Sequence, residues 1–382
     1  MARNLLADRP VYVVGIGMHR YQRRSDTPYI ALGLTAAREA LADAGISWPD
    51  VEVAYTGTAL LGMGASRIML SRLGSTGIPM TQVENASASG SSAVSQACLD
   101  VASGRSDVAF ALGVDKQSGG LSPAPGDAGI HNLEGGTVVP FTHFALLASE
   151  YMAAHGVTAE QVAQVALKNH RNGARNPFAQ RQKERTLDEI LAEPISGSMT
   201  RLQCCPVGEG AAAVIVASEE GIARLSIDAS RAIRVLSSVT RTERLYAPGE
   251  GIDAALTAET AGAAFEEAAV NPLDIDVLEV HDAFSIEELL YTEALGLCQP
   301  GEAASLVASG DFDLGGRCAV SPSGGLLSMG HPIGPTGAGQ IAEVTRQLRG
   351  EAGDRQQPGA TTGLAHMVGI GAVCVVHVLQ RS

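Results

Sequence analysis

Hydrophobic and polar residues follow two patterns along this chain, and segments with one pattern alternate with segments that have the other. Short apolar runs that end in Gly or polar residues predict buried strands, and apolar residues at helical spacing predict amphipathic helices between them. Residues 107–114 form an almost uninterrupted apolar run, which is typical of a central strand covered on both faces. This alternation of strand and helix favours an α/β fold with parallel strands sandwiched by helices.

The predicted elements form two series in a similar order. In the first series we predict strands at 11–15, 51–56, 79–83, 107–114 and 210–218, and helices at 30–44 and 90–103. In the second series we predict strands at 233–238, 277–280, 361–364 and 372–379, helices at 254–269 and 285–295, and a helix after the turn at 321–339. Residues 119–139 are rich in Gly and Pro and lack periodicity, so we predict an inserted loop that leads into helices near 144–155 and 159–172.

The repeated order indicates a duplicated α/β/α unit. We predict an N-terminal half over residues 1–229, with a loop domain at about 117–208, and a C-terminal half over residues 230–382. The halves share little sequence, so two unrelated domains in tandem stay open as the alternative. We expect the walls of any pocket to come largely from residues 119–143.

Composition narrows the class of protein. The 382 residues are 45% hydrophobic and include 44 Gly, which suits a compact α/β enzyme. The net charge of −14 argues against binding to nucleic acid or to an anionic membrane. The six cysteines form no Cys-x-x-Cys pair, the chain starts without a hydrophobic signal segment, and no apolar run reaches transmembrane length. We therefore expect a cytoplasmic protein with reduced thiols.

The segment at 83–93 carries the first candidate chemistry. It reads Val-Glu-Asn-Ala-Ser-Ala-Ser-Gly-Ser-Ser-Ala, which predicts a strand end, a tight turn of small residues and a helix start. The Ser87 side chain should lie beside the first free N–H groups of that helix. This position favours developing negative charge.

Three further segments combine histidines with glycine turns. They are Glu-Val-His-Asp-Ala-Phe at 279–284, Ser-Gly-Gly at 323–325 with Gly-His-Pro-Ile-Gly-Pro-Thr-Gly at 330–337, and Leu-Ala-His-Met-Val-Gly-Ile-Gly at 364–371. An imidazole in a glycine turn can donate or accept protons while a ligand approaches the backbone closely. For His331, a structural turn histidine is the alternative.

Together these four segments resemble the thiolase superfamily, in which the first turn reads Asn-Ala-Cys-Ala-(Ser/Thr)-Gly. The His-Asp-x-Phe pattern and Cys204-Cys205-Pro206 are most similar to its sterol-carrier-protein-type branch. The resemblance implies a duplicated five-layered α/β/α/β/α fold and a coenzyme A thioester substrate, with no permanently bound cofactor. It also implies a homodimer or dimer of dimers and, in some relatives, a small zinc-ribbon/OB-fold partner subunit.

The resemblance also implies roles for particular residues. The catalytic residues that the resemblance implies are Ser87, His281, His331 and His366. Among them, His281 would form part of an oxyanion hole. The implied turn or oxyanion positions are Gly334, Gly369 and Gly371. We expect Asp282 to cap the helix that follows it. Basic residues in the loop domain predict a coenzyme A site, with a solvated helix face as the alternative: Lys168, Arg171, Arg175, Arg181 and Lys183.

Both family cysteines are missing, because Ser87 stands at the nucleophile position and Ala283 where the branch has its second thiol. Serine needs an adjacent base to attack a thioester, whereas a thiol does not. The first hypothesis is a thiolase-type C-acyltransferase of atypical mechanism. One alternative is a retro-aldolase that uses a non-covalent enolate, with His366 and Tyr291 important; another is a non-catalytic acyl-CoA-binding or scaffold subunit. A three-histidine metal site is disfavoured, since no carboxylate or thiolate stands at ligand spacing.

Overall fold

The computed structural model describes residues 4–117, 140–246, 252–369 and 373–381. Its strands are β1 (Val11–Gln22), β2 (Val53–Gly57), β3 (Met80–Val83), β4 (Val108–Asp115), β5 (Pro194–Ser196), β6 (Met199–Thr200), β7 (Glu209–Ser218), β8 (Ile233–Thr242), β9 (Val277–Glu279), β10 (Ala319–Val320), β11 (Thr362–Gly369) and β12 (Val373–Arg381). Its helices are α1 (Leu5–Asp8), α2 (Tyr29–Ala44), α3 (Ala65–Leu70), α4 (Ser89–Ala102), α5 (Pro140–His155), α6 (Ala159–Ala174), α7 (Leu187–Leu191), α8 (Glu219–Leu225), α9 (Ile252–Ala268), α10 (Ser285–Ala294), α11 (Ala303–Ser309), α12 (Gly325–Met329) and α13 (Thr336–Arg349).

The two halves of the chain repeat one strand order. In the first half the strands lie side by side as β1-β7-β4-β2-β3, and in the second as β8-β12-β11-β9-β10. Leaving out β5 and β6, which pair only with each other, each half contributes five strands, and counted in chain order both arrangements read first, fifth, fourth, second, third. Strand directions agree as well: β2 runs parallel to β3 and β4, and β9 runs parallel to β10 and β11. This repetition is the structural form of the predicted duplication.

The sheets are mixed, which corrects the expectation of parallel strands. The last strand of each half, β7 or β12, is antiparallel to both of its neighbours within that half. The halves meet where β1 pairs antiparallel with β8 at Val11–Val13. The alternation predicts parallel strands only where a helix connects them, and it does not apply to β12, which is the next element after β11, or to β7, which follows β6 and a short 3₁₀ turn.

Helices complete the layers. α4 and α13 pack against each other, and each contacts strands of both halves, so they form the central layer. α2 packs against β1 and β7, and α9 packs against β8 and β12, on the outer sides. The predicted five-layered α/β/α/β/α fold is confirmed. The boundary at 229/230 stays a prediction.

Several predicted ends differ from the observed ones. α13 begins at Thr336, before two glycines that the sequence assigns to a turn. A Cβ at Gly337 would lie 2.0 Å from the Ser91 Oγ, and one at Gly339 would lie 2.3 Å from the Tyr21 hydroxyl. These glycines are therefore helical contact points that let α13 approach α4 and β1 closely. The predicted loop at 119–139 lies outside the described residues, and so do most of the residues expected to form the pocket walls.

Candidate active site

Ser87 lies on a sharp turn between β3 and α4. Ala86 has φ +48°, a left-handed conformation that is uncommon for a residue with a Cβ. The Ala86 carbonyl accepts a hydrogen bond from the Ser89 hydroxyl at 2.6 Å, and the Ser89 Oγ accepts one from the Asn85 N–H at 2.9 Å. These bonds hold the strained turn, which places Ser87 just before α4 with only 4% of its surface exposed.

Glycines bring two other turns against the Ser87 turn. A Cβ at Gly90 would lie 2.3 Å from the Gly334 carbonyl oxygen, and one at Gly369 would lie 2.4 Å from the Asn85 carbonyl oxygen. Real side chains do not fit at such distances from backbone atoms. The sequence thus uses glycine where the turn at 330–337 and the end of β11 converge on the candidate nucleophile.

His331 is the direct partner of Ser87. Its Nε2 lies 3.0 Å from the Ser87 Oγ, and its Nδ1 lies 2.9 Å from the Thr336 Oγ1. Burial, with a smaller effect of nearby His281, lowers the pKa of His331 well below its usual value. The neutral ring can accept the Ser87 hydroxyl proton at Nε2 while Nδ1–H donates to Thr336. The partner at Nδ1 is a hydroxyl, not a carboxylate.

His366 lies behind His281 and positions it. The His281 backbone N–H donates to the His366 Nδ1 at 3.4 Å, so the His366 Nε2 carries the proton and donates to the Thr257 Oγ1 at 3.0 Å. Burial lowers the pKa of His366 to about 3, and its side chain has no exposed surface. Both ring nitrogens are engaged, so the expectation of His366 as the reacting base has no support in this geometry.

His281 faces the His331–Ser87 pair with free ring nitrogens. The ring centroids of His281 and His331 are 5.4 Å apart in an edge-to-face arrangement. Neither ring nitrogen of His281 has a hydrogen-bond partner among the described residues, although the residue is only 7% exposed. The Glu287 Oε1 lies 3.4 Å from the His281 Nδ1 and accepts a hydrogen bond from the Tyr291 hydroxyl at 3.1 Å. Sequence reasoning missed Glu287; its one signal is its place three residues after Phe284, where a glutamate can close the first turn of a helix.

Lys168 belongs to a buried network beneath these histidines, which corrects its assignment to a coenzyme A site. Its Nζ lies 3.0 Å from the Glu288 Oε1 and donates to the Val320 carbonyl at 2.6 Å, with the side chain 2% exposed. Asn169 donates to both Glu288, at 2.9 Å, and Asp282, at 2.6 Å. A cation held inside the protein by a carboxylate cannot reach a phosphate at the surface.

Asp282 caps a different helix from the one expected. Its Oδ1 accepts the Leu326 N–H at 2.6 Å at the start of α12, rather than an N–H of α10. Burial, followed by the charge of Glu288, raises the pKa of Asp282 well above its usual range. The segment after His281 is therefore fixed to the turn at 323–325, and this orients the His281 backbone.

Gly334 is held by a residue that the sequence did not single out. Its N–H donates to the Asp115 Oδ2 at 2.7 Å, so it is engaged rather than open to an oxyanion. Asp115 is completely buried at the end of β4 and also accepts the Thr58 hydroxyl and the N–H groups of Ala59 and Leu60. Burial raises the pKa of this carboxyl to about 6. Gly371 lies outside the described residues.

The other basic residues of the loop domain do not form one cluster. Arg181 donates to the Cys204 and Leu327 carbonyls, at 3.0 and 2.9 Å, and burial lowers its pKa to about 10. Arg171 pairs with Asp313 at 2.6 Å, and Lys183 pairs with Glu189 at 3.1 Å at the surface. Arg175 is exposed. The surface therefore offers Arg175, Lys183 and half-exposed Arg171, while Arg181 has an internal role.

Within the described ranges, no group of three or more His, Cys, Asp or Glu side chains is arranged to hold a metal ion. In the same part of the chain, no helix combines the length and the apolar character that crossing a bilayer requires. The chemistry that this site offers is a serine hydroxyl, two reachable imidazoles and buried carboxylates.

Known proteins similar to this chain belong to one family. The family models described as "Thiolase, N-terminal domain" and "Thiolase C-terminal domain-like" match residues 11–191 and 248–381. Sterol carrier protein 2 of Homo sapiens is 38% identical, over 96% of this chain and 71% of its own length. Benzoylsuccinyl-CoA thiolase subunit BbsB of Thauera aromatica is 36% identical, over 95% and 96% of the two chains.

A solved structure adds a different activity to the comparison. The "Ltp2-ChsH2(DUF35) aldolase" superimposes with a TM-score of 0.83 at 25% identity, covering 98% of each chain. The repeated strand order, the converging glycine turns and these matches lead to one conclusion. The chain belongs to the thiolase superfamily, in its sterol-carrier-protein-type branch.

Proposed function

We propose that this protein breaks or forms a carbon–carbon bond next to an acyl-CoA thioester through a non-covalent enolate, as a retro-aldolase of β-hydroxyacyl-CoA esters. One observation carries the proposal. Ser87 and Ala283 stand where the family resemblance implies two thiols, and the imidazole that touches Ser87 is supported by a hydroxyl alone.

The surroundings of His331 disfavour a covalent step at Ser87. Serine attacks a thioester only when a base takes its proton, and the base becomes positively charged in doing so. In a Ser-His-Asp triad, a carboxylate stabilises that imidazolium. Here the His331 Nδ1 meets the Thr336 hydroxyl, and burial lowers the pKa of His331 well below its usual value. The imidazolium that acyl transfer requires is therefore unfavourable.

A retro-aldol reaction makes smaller demands on the same groups. A base takes the proton of the substrate β-hydroxyl, the Cα–Cβ electron pair becomes the enolate of the shortened acyl-CoA, and the β-carbon leaves as a carbonyl. The enolate then takes a proton at its α-carbon. The Ser87 hydroxyl and the positive end of α4 face the position of the enolate oxygen, where fixed dipoles lower the barrier.

A second candidate is C-acyl transfer with Ser87 as nucleophile. The 3.0 Å contact between the Ser87 Oγ and the His331 Nε2 favours it, because it is the geometry in which a hydroxyl passes its proton to a base. The relatives support both candidates. The matches include an "Acetyl-CoA acetyltransferase" of Methanothermobacter thermautotrophicus, 34% identical over 98% of this chain, as well as the aldolase structure.

Further features of the family are proposals for this chain. They comprise a homodimer or dimer of dimers, a small zinc-ribbon/OB-fold partner subunit, a cytoplasmic location, and binding of the coenzyme A nucleotide near Arg175 and Lys183. The solved aldolase that resembles this chain is named Ltp2-ChsH2(DUF35), and the second component in that name supports the partner subunit. A non-catalytic scaffold role is the outcome if no acyl-CoA is turned over.

The test compares the unchanged protein with Ser87→Ala. Each is incubated with 3-hydroxyacyl-CoA esters, and the shortened acyl-CoA is measured by chromatography while the released carbonyl is trapped as a hydrazone. Intact-protein mass spectrometry after incubation with acetyl-CoA detects any acyl adduct. We expect cleavage without an adduct, and cleavage that falls in Ser87→Ala by about 10- to 150-fold but is not abolished, the typical effect of losing one hydrogen bond to a charged group. An adduct that vanishes in Ser87→Ala would instead establish acyl transfer.

A further inference from the structure

Glu287 is a buried carboxylate for which the proposed reaction has no role so far. It lies on α10, is 1% exposed, and has no Lys or Arg ion-pair partner among the described residues. Its Oε2 accepts the Phe284 N–H at 2.8 Å, and its Oε1 accepts the Tyr291 hydroxyl at 3.1 Å. The cationisable side chain beside it is His281, with Nδ1 at 3.4 Å. A buried carboxylate is costly unless a positive group stands close to it.

From this juxtaposition we infer that His281 is the base that takes and returns the α-proton of the acyl-CoA, with Glu287 as its positioning residue. The inference rests on the proposed function and assigns within it the proton transfer that the family resemblance gives to a second thiol. It also changes the role of His281, which the resemblance places in an oxyanion hole.

The Glu287 carboxylate favours one tautomer of the His281 ring, and the tautomer determines whether the ring acts as a base or as an oxyanion donor. A carboxylate at Nδ1 favours the proton on that nitrogen, as in other carboxylate–imidazole pairs. Nε2 then presents a lone pair, which can accept a proton but cannot donate a hydrogen bond to an enolate oxygen. His281 Nε2 has no partner among the described residues, and its ring lies against that of His331, next to Ser87.

The proton step balances without any further reactant. The His281 Nε2 lone pair takes the α-hydrogen as a proton, and the C–H electron pair becomes the enolate. The ring is now an imidazolium beside the Glu287 carboxylate. In the cleavage direction the step runs in reverse: the imidazolium Nε2–H delivers its proton to the enolate carbon, and the proton that the base took from the β-hydroxyl is returned to His281, so no proton is gained or lost overall.

Three further elements place ionisable or polar groups around His281. Asp253, at the start of α9, interacts electrostatically with His281, and burial raises the pKa of this aspartate. Tyr291, on α10, donates its hydroxyl to the same Glu287 oxygen that faces His281. His366 is neutral and accepts the His281 backbone N–H, so it adds no competing charge. His331 is neutral as well.

A purely structural role for Glu287 is the competing explanation, because its Oε2 closes the first turn of α10. The Glu287→Gln variant distinguishes this structural role from the positioning role. Glutamine keeps an oxygen for the Phe284 N–H, but its amide group can donate to the His281 Nδ1 and so force the proton onto Nε2. The matched control is Glu293→Gln on the same helix, where the carboxylate accepts the Tyr151 hydroxyl at 2.5 Å and lies outside the site.

The experiment measures exchange of the α-hydrogens of acetyl-CoA in D₂O by proton NMR, with acetyl-CoA binding measured by calorimetry. We expect Glu287→Gln to exchange about 100-fold more slowly, a typical contribution of a general base. Binding should change by less than about threefold, and Glu287→Asp should recover part of the rate. Glu293→Gln should exchange like the unchanged protein.

Each outcome decides the question. Unchanged exchange in Glu287→Gln, or a loss of exchange and binding together, overturns the assignment of Glu287 and leaves the proposed function standing. No exchange in the unchanged protein, despite binding, overturns both. If Glu287→Gln does not fold, ¹⁵N-histidine NMR of the unchanged protein decides: a protonated Nδ1 in His281 supports the inference, and a protonated Nε2 alone overturns it.

Discussion

Replacing Lys168 by Met should strongly destabilise this protein. Lys168 is the cation of a buried network in which its Nζ lies 3.0 Å from Glu288 and donates to the Val320 carbonyl and the Asn169 amide oxygen, each at 2.6 Å. The Lys168 and Glu288 side chains are 2% and 0% exposed. Methionine fills much of the same volume but leaves the Glu288 carboxylate without a positive partner.

The magnitude follows from the burial. Removing one partner of a buried ion pair typically costs about 3–5 kcal/mol, because the remaining charge is neither hydrated nor compensated. Burial already raises the pKa of Glu288, and without the ammonium group this pKa should rise further. The folded protein can then avoid the charge by protonating Glu288. The loss of stability should therefore be largest at high pH and should shrink as the pH falls.

The assay is urea unfolding followed by circular dichroism at several pH values on the acidic and the basic side of neutrality, with Lys183→Met as the matched control. Lys183 forms an exposed ion pair with Glu189, with 66% and 40% of the two side chains accessible. Such a pair contributes about 0–1 kcal/mol. If the two variants unfold at the same urea concentration, or if Lys168→Met loses more stability at low pH than at high pH, the reasoning is refuted.

Two further predictions concern glycine packing and a buried glutamate. Gly90→Ala should destabilise the protein by about 1–3 kcal/mol, since the new Cβ would lie 2.3 Å from the Gly334 carbonyl oxygen. Gly262→Ala, on α9, should stabilise it by about 0.5–1 kcal/mol, because no atom lies within 4 Å of the new Cβ. Thermal unfolding checks both signs, and equal shifts would contradict the close approach. Burial, and then the charge of Glu343, raises the pKa of Glu279 to about 8, above its unfolded value of 4.5, so folding stability should fall as the pH rises through this window. Glu279→Gln should flatten that dependence in urea titrations, and an unchanged slope would show that Glu279 is not its source.

Much of the site was predictable because its parts are local in sequence. The Ser87 turn, His331 in its glycine turn and the fold class all follow from short patterns, and the structure brings Ser87 and His331 within 3.0 Å. The structure gives Lys168, Gly334 and His366 other contacts than the sequence assignments expected. Each depends on a partner far along the chain, such as Glu288 for Lys168, and no short pattern specifies such a partner.

The order of the main strands and helices, and the turns that carry the chemistry, can be predicted from the sequence, because hydrophobic periodicity and glycine placement act within a few residues. Which charged and polar groups are buried against each other depends on the three-dimensional packing. Only the folded chain shows that Asp115 holds Gly334, that His366 supports the His281 backbone, and that Glu287 faces the His281 ring. The physical reason is that burial and charge pairing, which set protonation and tautomer, depend on distances in space between elements that the sequence separates.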